Sequence, residues 1–158
     1  MRKLVVSVLV IVMTITCSLA QSNKEEVDLF QAALGMQKKE AFTRFIKLEG
    51  VQKDAFWALY DEYEGKRKAL GKRRITLLEN YVAGYETMDD ASTAQALKDM
   101  ISIGNDTDNL TATYANKMKK GAGVKAAAQF YQLESYMTSV VRATILENIP
   151  FIGEFDKK

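Results

Sequence analysis

The stretch FWALYDEYEGKRKALGKRRITLLENY, residues 56–81, decides the fold. Large side chains recur along it at alternating spacings of four and three, a pattern typical of a helix packed along near-parallel neighbours. The stripe consists of Phe56, Tyr60, Tyr63, Arg67, Leu70, Arg74, Leu77 and Tyr81. The surrounding pattern extends the predicted helix over residues 51–86, a length of ~54 Å. A compact domain of this size has a radius of gyration of only ~14 Å. The sequence therefore predicts an elongated all-α protein, either a helical hairpin or a four-helix bundle with long helices.

Three further helices are predicted on either side of this one, over residues 23–49, 91–119 and 124–148. Helical periodicity defines them, and breakers separate them: Gly50, the turn at Met88-Asp89-Asp90, Gly121-Ala122-Gly123 and finally Pro150. On the third helix, we expect Leu97 and Ile101 to belong to the inward stripe. No strand pattern and no internal repeat is apparent. The sequence therefore predicts a single helical domain over residues 21–158.

Residues 1–20 have the three parts of a secretory signal peptide. Arg2 and Lys3 form a basic start, residues 4–15 are mostly apolar, and Ser18-Leu19-Ala20 supplies small residues for a signal peptidase. We expect cleavage after Ala20 and a periplasmic or secreted protein. Two alternatives remain at this point: a retained membrane anchor, and a lipoprotein that uses Cys17.

Composition excludes several classes of function. The chain of 158 residues contains no His and one Cys, which lies in the predicted signal. Ser-His-Asp and Cys-His catalysis and His-bearing zinc or di-iron sites are therefore excluded. The formal charge of +2 falls to zero once Arg2 and Lys3 are removed with the signal. We therefore expect no nucleic acid partner, no metal and no cofactor; an enzyme that uses carboxylates alone remains a third hypothesis.

The predicted second helix carries the densest group of charges in the chain. Four of its cations avoid the apolar stripe, and we expect them to share one exposed face: Lys66, Lys68, Lys72 and Arg73. Such a patch could attract an anionic lipid surface or acidic segments of a client protein. The alternative is an ordinary solvated helix face.

Arg67 and Arg74 interrupt the stripe itself. We expect them to pair with a carboxylate across the bundle, and Glu134 is the candidate because it shares the inner face of the fourth helix with Phe130. Arg67 is the expected nearer partner. The alternative is a pair of anion-binding guanidinium groups.

The aromatic residues of the chain allow two interpretations. Five of them either form the core or line a groove for an apolar ligand: Phe56, Trp57, Tyr60, Tyr63 and Phe130. A stripe of aromatic residues at helical spacing is typical of a core.

Three segments resemble a group of small exported bacterial helical proteins. These are Phe56-Trp57-Ala58-Leu59-Tyr60-Asp61-Glu62-Tyr63, Ala127-Ala128-Gln129-Phe130-Tyr131-Gln132-Leu133-Glu134 and Ile149-Pro150-Phe151-Ile152. A more distant likeness is to the Spy/CpxP periplasmic stress-protein family, on Leu48 and Gln52. That likeness implies a dimer of helical hairpins, which for this chain would be a homodimer. It also implies a cradle-like surface that holds unfolded client proteins without ATP.

Two functional hypotheses follow. The first is a non-enzymatic periplasmic interaction protein, a Spy/CpxP-like ATP-independent chaperone or envelope-stress accessory, with unfolded or envelope proteins as clients. The second is a binding module for lipid or a small apolar ligand. The two differ in shape, because a binding module needs a cavity of at least ~300 Å³ whereas a chaperone needs an open face.

Overall fold

The computed structural model describes residues 24–154, so the predicted signal peptide and its cleavage after Ala20 lie outside the described residues. Within that range no strand occurs, and the regular structure is helical. The helices are α1 (Lys24–Phe45), α2 (Gly50–Gly84), α3 (Asp90–Gly121) and α4 (Val124–Leu146), with a short 3-10 helix (Tyr85–Thr87) after α2. The all-α prediction is therefore confirmed.

The four helices alternate in direction. Contacts between α2 and α4 follow the same order along both helices, because Tyr63 reaches Glu134 and Tyr81 reaches Pro150 just beyond α4. Contacts between α2 and α3 run in opposite order, as do those between α1 and α2. For α2 and α3, this order is shown by the contacts of Glu62 with Tyr114 and of Arg73 with Asp106. For α1 and α2, it is shown by the contacts of Lys38 with Glu64 and of Asp28 with Lys72. The chain therefore forms an up-down-up-down bundle.

Helix ends differ from the predicted ones by a few residues. The first helix ends at Phe45 rather than near residue 49, and Gly50 opens α2 instead of closing α1. The linker between them is anchored by the buried side chain of Ile46. Asp89 caps α3: its carboxylate accepts from the Ser92 backbone N–H at 2.8 Å, and the Ser92 hydroxyl accepts from the Asp89 backbone N–H.

The turn between α3 and α4 requires a glycine. Gly123 has a φ of 96°, in a region that residues with a Cβ rarely adopt. Ala122 before it and Ala126 after it are both buried, so the two helices turn closely around small side chains. This tight connection places the start of α4 directly against the end of α3.

The core lies at the end of the bundle where α1 meets α2. Phe42, Phe56, Tyr60 and Phe130 are buried there. Their rings pack at centroid distances from 4.9 Å, between Phe42 and Tyr60, to 6.5 Å, between Phe56 and Phe130. Tyr63, Tyr114 and Met118 complete the same cluster. Burial of this much aromatic surface is the main stabilising term of the described fold.

The inward face of α3 agrees with the predicted stripe at Tyr114 and Met118 but differs from it in the first part of the helix. Leu97 and Ile101 are more than half exposed, whereas the buried positions are Ala96, Ile103, Thr111, Tyr114 and Met118. Successive residues of a helix turn by ~100°, so Leu97 stands well aside from its buried neighbour Ala96. Tyr114 and Met118, which are larger and packed in the core, set the rotation of α3 and turn Leu97 and Ile101 outward.

None of the helices within residues 24–154 is both long and apolar enough to span a membrane.

Candidate functional site

A buried group of charges crosses the centre of the bundle. The Lys38 ammonium donates to Glu64 Oε1 at 2.8 Å and to Glu134 Oε1 at 2.7 Å. The Tyr63 hydroxyl donates to the same oxygen of Glu134 at 2.6 Å, with the Thr111 hydroxyl 3.3 Å away. The Lys38 and Glu134 side chains are only 5% and 2% exposed. This cluster ties α1, α2 and α4 together through charge-assisted hydrogen bonds.

Arg67 extends the charged cluster by one turn of α2. Its Nε donates to both oxygens of Glu64, at 2.9 and 3.0 Å, and its Nη1 donates to Gln31 Oε1 at 3.1 Å. Gly71 makes room for that glutamine, because a Cβ at Gly71 would lie 2.5 Å from the Gln31 amide nitrogen. The guanidinium group is therefore held in place by α1 and by its own helix.

These surroundings change the pKa of the buried groups. Burial alone would raise the pKa of Glu64, but the adjacent Lys38 and Arg67 cations outweigh it and lower that pKa below its ordinary value. Burial, reinforced by the Glu134 carboxylate, raises the pKa of Tyr63 well above its usual range. Glu64 is therefore held as a carboxylate and Tyr63 as a neutral hydroxyl that donates to Glu134.

A partly open cleft of about 860 Å³ lies beside this cluster, between α1, α2 and α4. Its wall is mostly aliphatic: Leu34, Leu70, Ile75, Leu78, Leu133, Met137, Val140, Val141 and Ile145. It spans residues 132–145 of α4, a distance of ~20 Å along the helix axis. The cleft is therefore an elongated, mostly apolar site to which each of the three helices also contributes charged side chains.

Arg74 lines this cleft and stands apart from the other cations. It lies two turns beyond Arg67 on the same face of α2 and is partly buried. Burial and the nearby Arg142 lower the pKa of Arg74 below its ordinary value, and Asp108 offsets this only in part. Asp108 itself forms an ion pair with Arg142 at 2.9 Å.

The structure corrects the predicted ion pair. Glu134 is buried and paired as its position indicated, but its cation is Lys38 from α1 rather than Arg67 or Arg74. Arg67 pairs with Glu64 instead, and so joins the same cluster from the other side. The register placed Arg67 near Glu134, but Lys38 of α1 contacts both Glu64 of α2 and Glu134 of α4 and supplies the cation instead.

The four basic residues of α2 do not form one surface. Lys66 lies over the Tyr114 ring at 5.4 Å and Arg73 pairs with Asp106 at 2.8 Å, so both are on the α3 side. Lys72 pairs with Asp28, and Lys68 lies beside Gly35, so these two are on the α1 side. Positions 66 and 68 differ by ~200° around a helix, which explains the separation.

The aromatic residues form the core and not a groove. Phe56, Tyr60, Tyr63 and Phe130 are buried, and only Trp57 lies partly exposed at the edge of the cluster. None of the five lines the large cleft. An apolar ligand would therefore meet mainly aliphatic side chains, and the part of α2 that lines the cleft lies about three to six turns beyond Phe56.

Lys38 and Gln31 were not recognised from the sequence. A signal for Lys38 existed, because it stands four residues after Leu34 and four before Phe42, on the inward face of α1. A cation in that position requires a buried acid. The cleft itself has no comparable signal, because it depends on the distance between helices.

Groups of three or more residues that could hold a metal ion are absent from residues 24–154. Comparison of the chain with protein-family models, with curated proteins and with solved structures gives no match.

Proposed function

We propose that the protein is a non-enzymatic binding module that takes a lipid-like apolar ligand into the cleft between α1, α2 and α4. The observation that carries the proposal is the size and lining of this cleft. Its volume of about 860 Å³ falls within the ~300–1,000 Å³ typical of ligand sites, which are mostly apolar with a few polar groups. An exported protein with such a site would bind its ligand in the periplasm or outside the cell.

The buried charges beside the cleft support binding rather than catalysis. Lys38 is held between two carboxylates, and Arg67 is held by Glu64 and Gln31. Groups engaged in this way act as structural supports, because a reaction would have to break their pairs in a poorly solvated setting. They keep α1 attached along one wall, which leaves the cleft between the helices open.

The chaperone hypothesis has weaker support from the contacts of α2. It relied on a single basic face, and the four cations instead point to two sides of the helix. Two of them, Lys72 and Arg73, already have acidic partners. Exposed ion pairs of this kind give little net field for attracting an acidic client.

A fluorescence assay tests the proposal. N-Phenyl-1-naphthylamine, an uncharged probe that brightens in apolar surroundings, should bind the purified protein and be displaced by decan-1-ol. Val141→Trp should weaken probe binding by about tenfold or more, because the indole ring would occupy part of the apolar space in which the probe binds. Circular dichroism should show unchanged helical content.

Val82→Trp is the matched control. Val82 lies on α2, is 45% exposed and does not line the cleft, so the same substitution there should leave probe affinity as in the wild type. The proposal is wrong if the wild type does not bind the probe, or if Val141→Trp binds it as tightly as Val82→Trp does.

A further inference from the structure

Five cations line the cleft, and four of them have an acidic partner. The pairs are Lys38 with Glu64 and Glu134, Arg44 with Glu40, Arg67 with Glu64, and Arg142 with Asp108. The fifth is Arg74. Among the side chains that the structure describes, those of residues 28, 29 and 31–154, no carboxylate oxygen lies within 4 Å of the Arg74 guanidinium, and the charged groups that act on it are Arg142 and Asp108.

Arg74 is a partly buried guanidinium in a mostly apolar cleft, without a carboxylate partner among the described side chains. Charges taken out of water are normally paired, because the desolvation penalty is otherwise uncompensated. The neighbouring Arg142 adds repulsion, and the pKa of Arg74 is lowered as a result. An anion placed beside Arg74 would relieve both effects.

Arg67 is a weaker candidate for the same role. Its Nη2 has no partner among the described residues but is itself buried, while Nε and Nη1 are engaged by Glu64 and Gln31. An incoming anion would have to displace the Glu64 carboxylate. Arg74 has no such competitor, and it lies in the aliphatic part of the wall between Leu70 and Leu78.

From these observations, and resting on the proposed function, we infer that the ligand is a single-chain amphiphile with a small anionic head group, and that Arg74 binds this head. The guanidinium can donate two parallel hydrogen bonds to a carboxylate or phosphate. The chain would lie along the aliphatic wall formed by Leu34, Leu70, Met137, Val140 and Val141. The cleft is long enough along α4 for an extended decyl chain.

Three ligands with the same chain separate the contributions of head and tail. Decanoate, decyl phosphate and decan-1-ol are each used to displace N-phenyl-1-naphthylamine from the purified protein at neutral pH and low salt. At least one of the two anions should bind about tenfold or more tightly than decan-1-ol. The tighter of the two identifies the head group as a carboxylate or a phosphate.

Arg74→Met should remove the preference for the anion and keep the affinity for decan-1-ol, because methionine retains an apolar side chain of similar length. Arg74→Lys should keep part of the preference, since it preserves the charge without the planar donor pair. Arg73→Met is the control: Arg73 is the adjacent residue, pairs with Asp106 and does not line the cleft, so it should retain the full preference.

The outcomes distinguish this inference from the proposed function. Equal binding of the alcohol and both anions by the wild type would overturn the anionic ligand but leave the binding module standing. A preference that survives in Arg74→Met would overturn the role of Arg74. Failure of all three compounds to displace the probe, or failure of the probe to bind, would overturn the proposed function itself.

Discussion

The two halves of α2 both carry inward-facing residues but have different surroundings. In the first half, Phe56, Tyr60 and Tyr63 are buried in a cluster of aromatic rings. In the second half, Leu70, Arg74 and Leu78 face a cleft. One helix therefore borders both the aromatic core and the apolar cleft.

This difference arises from what stands opposite each half. Phe42 of α1 and Phe130 of α4 fill the space beside the first half with large rings. The second half faces smaller aliphatic side chains, such as Val140 and Val141, which do not reach across. A regular inward stripe therefore predicts which face of a helix avoids water. The volume of the opposing side chains decides whether the space beside that face is filled.

Truncation of a core ring should have the largest effect on stability. Phe130→Ala removes a fully buried ring from the packed region and should lower the free energy of unfolding by about 3–5 kcal/mol. Ile145→Ala, on the same helix but at the wall of the cleft, should lower it by about 1 kcal/mol, because the Ile145 side chain is only partly buried. Chemical denaturation of both variants measures the contrast, and equal losses would show that the cleft is packed as tightly as the core.

Loss of the shared lysine should have a nearly equal effect. Lys38→Met leaves Glu134 and Glu64 short of a cation in a buried position and should cost about 3–5 kcal/mol. Lys39→Met is the matched control, because Lys39 pairs with Asp61 at the surface and such pairs contribute about 0–1 kcal/mol. If thermal denaturation gave similar melting temperatures for the two variants, the cluster would not support the bundle.

Removal of the unpaired arginine should act in the opposite direction. Arg74→Met eliminates an uncompensated charge from the cleft and should stabilise the free protein by about 1 kcal/mol, a few degrees in melting temperature. Arg67→Met should instead destabilise it, because Glu64 and Gln31 lose a partner. Scanning calorimetry without ligand compares the two, and a lower melting temperature for Arg74→Met would contradict the assignment of Arg74 as unpaired.

The smallest expected effect is a difference in acid sensitivity. Because the pKa of Glu64 is lower in the folded state than its ordinary value of about 4.3, its contribution to stability is present above that value and is lost as the pH falls toward the folded pKa. Glu64→Gln should therefore lose stability less steeply than the wild type between about pH 5 and pH 3. Urea denaturation across this range gives the slopes, and a variant as steep as the wild type would argue against a lowered pKa.

The positions of the site residues were only partly predictable. Glu134 was recognisable because it shares a helical face with Phe130, and Arg67 and Arg74 because they interrupt a stripe. The partners of these residues could not be predicted, because the register along two helices does not show which third helix contacts both of them. The four basic residues of α2 were assigned to one face because they all avoid the apolar stripe, whereas rotation around the helix divides them between two sides.

Four helices and most of their ends follow from local information. The apolar spacing, the breakers at residues 121–123 and the stop before Pro150 act within a few residues of chain, so the sequence is sufficient to predict them. The cleft and the pairing of Lys38 with Glu134 depend on the separation and rotation of helices that are distant in sequence. These are set by how large side chains such as Phe42, Tyr114 and Phe130 pack against one another, and only the tertiary structure decides that packing.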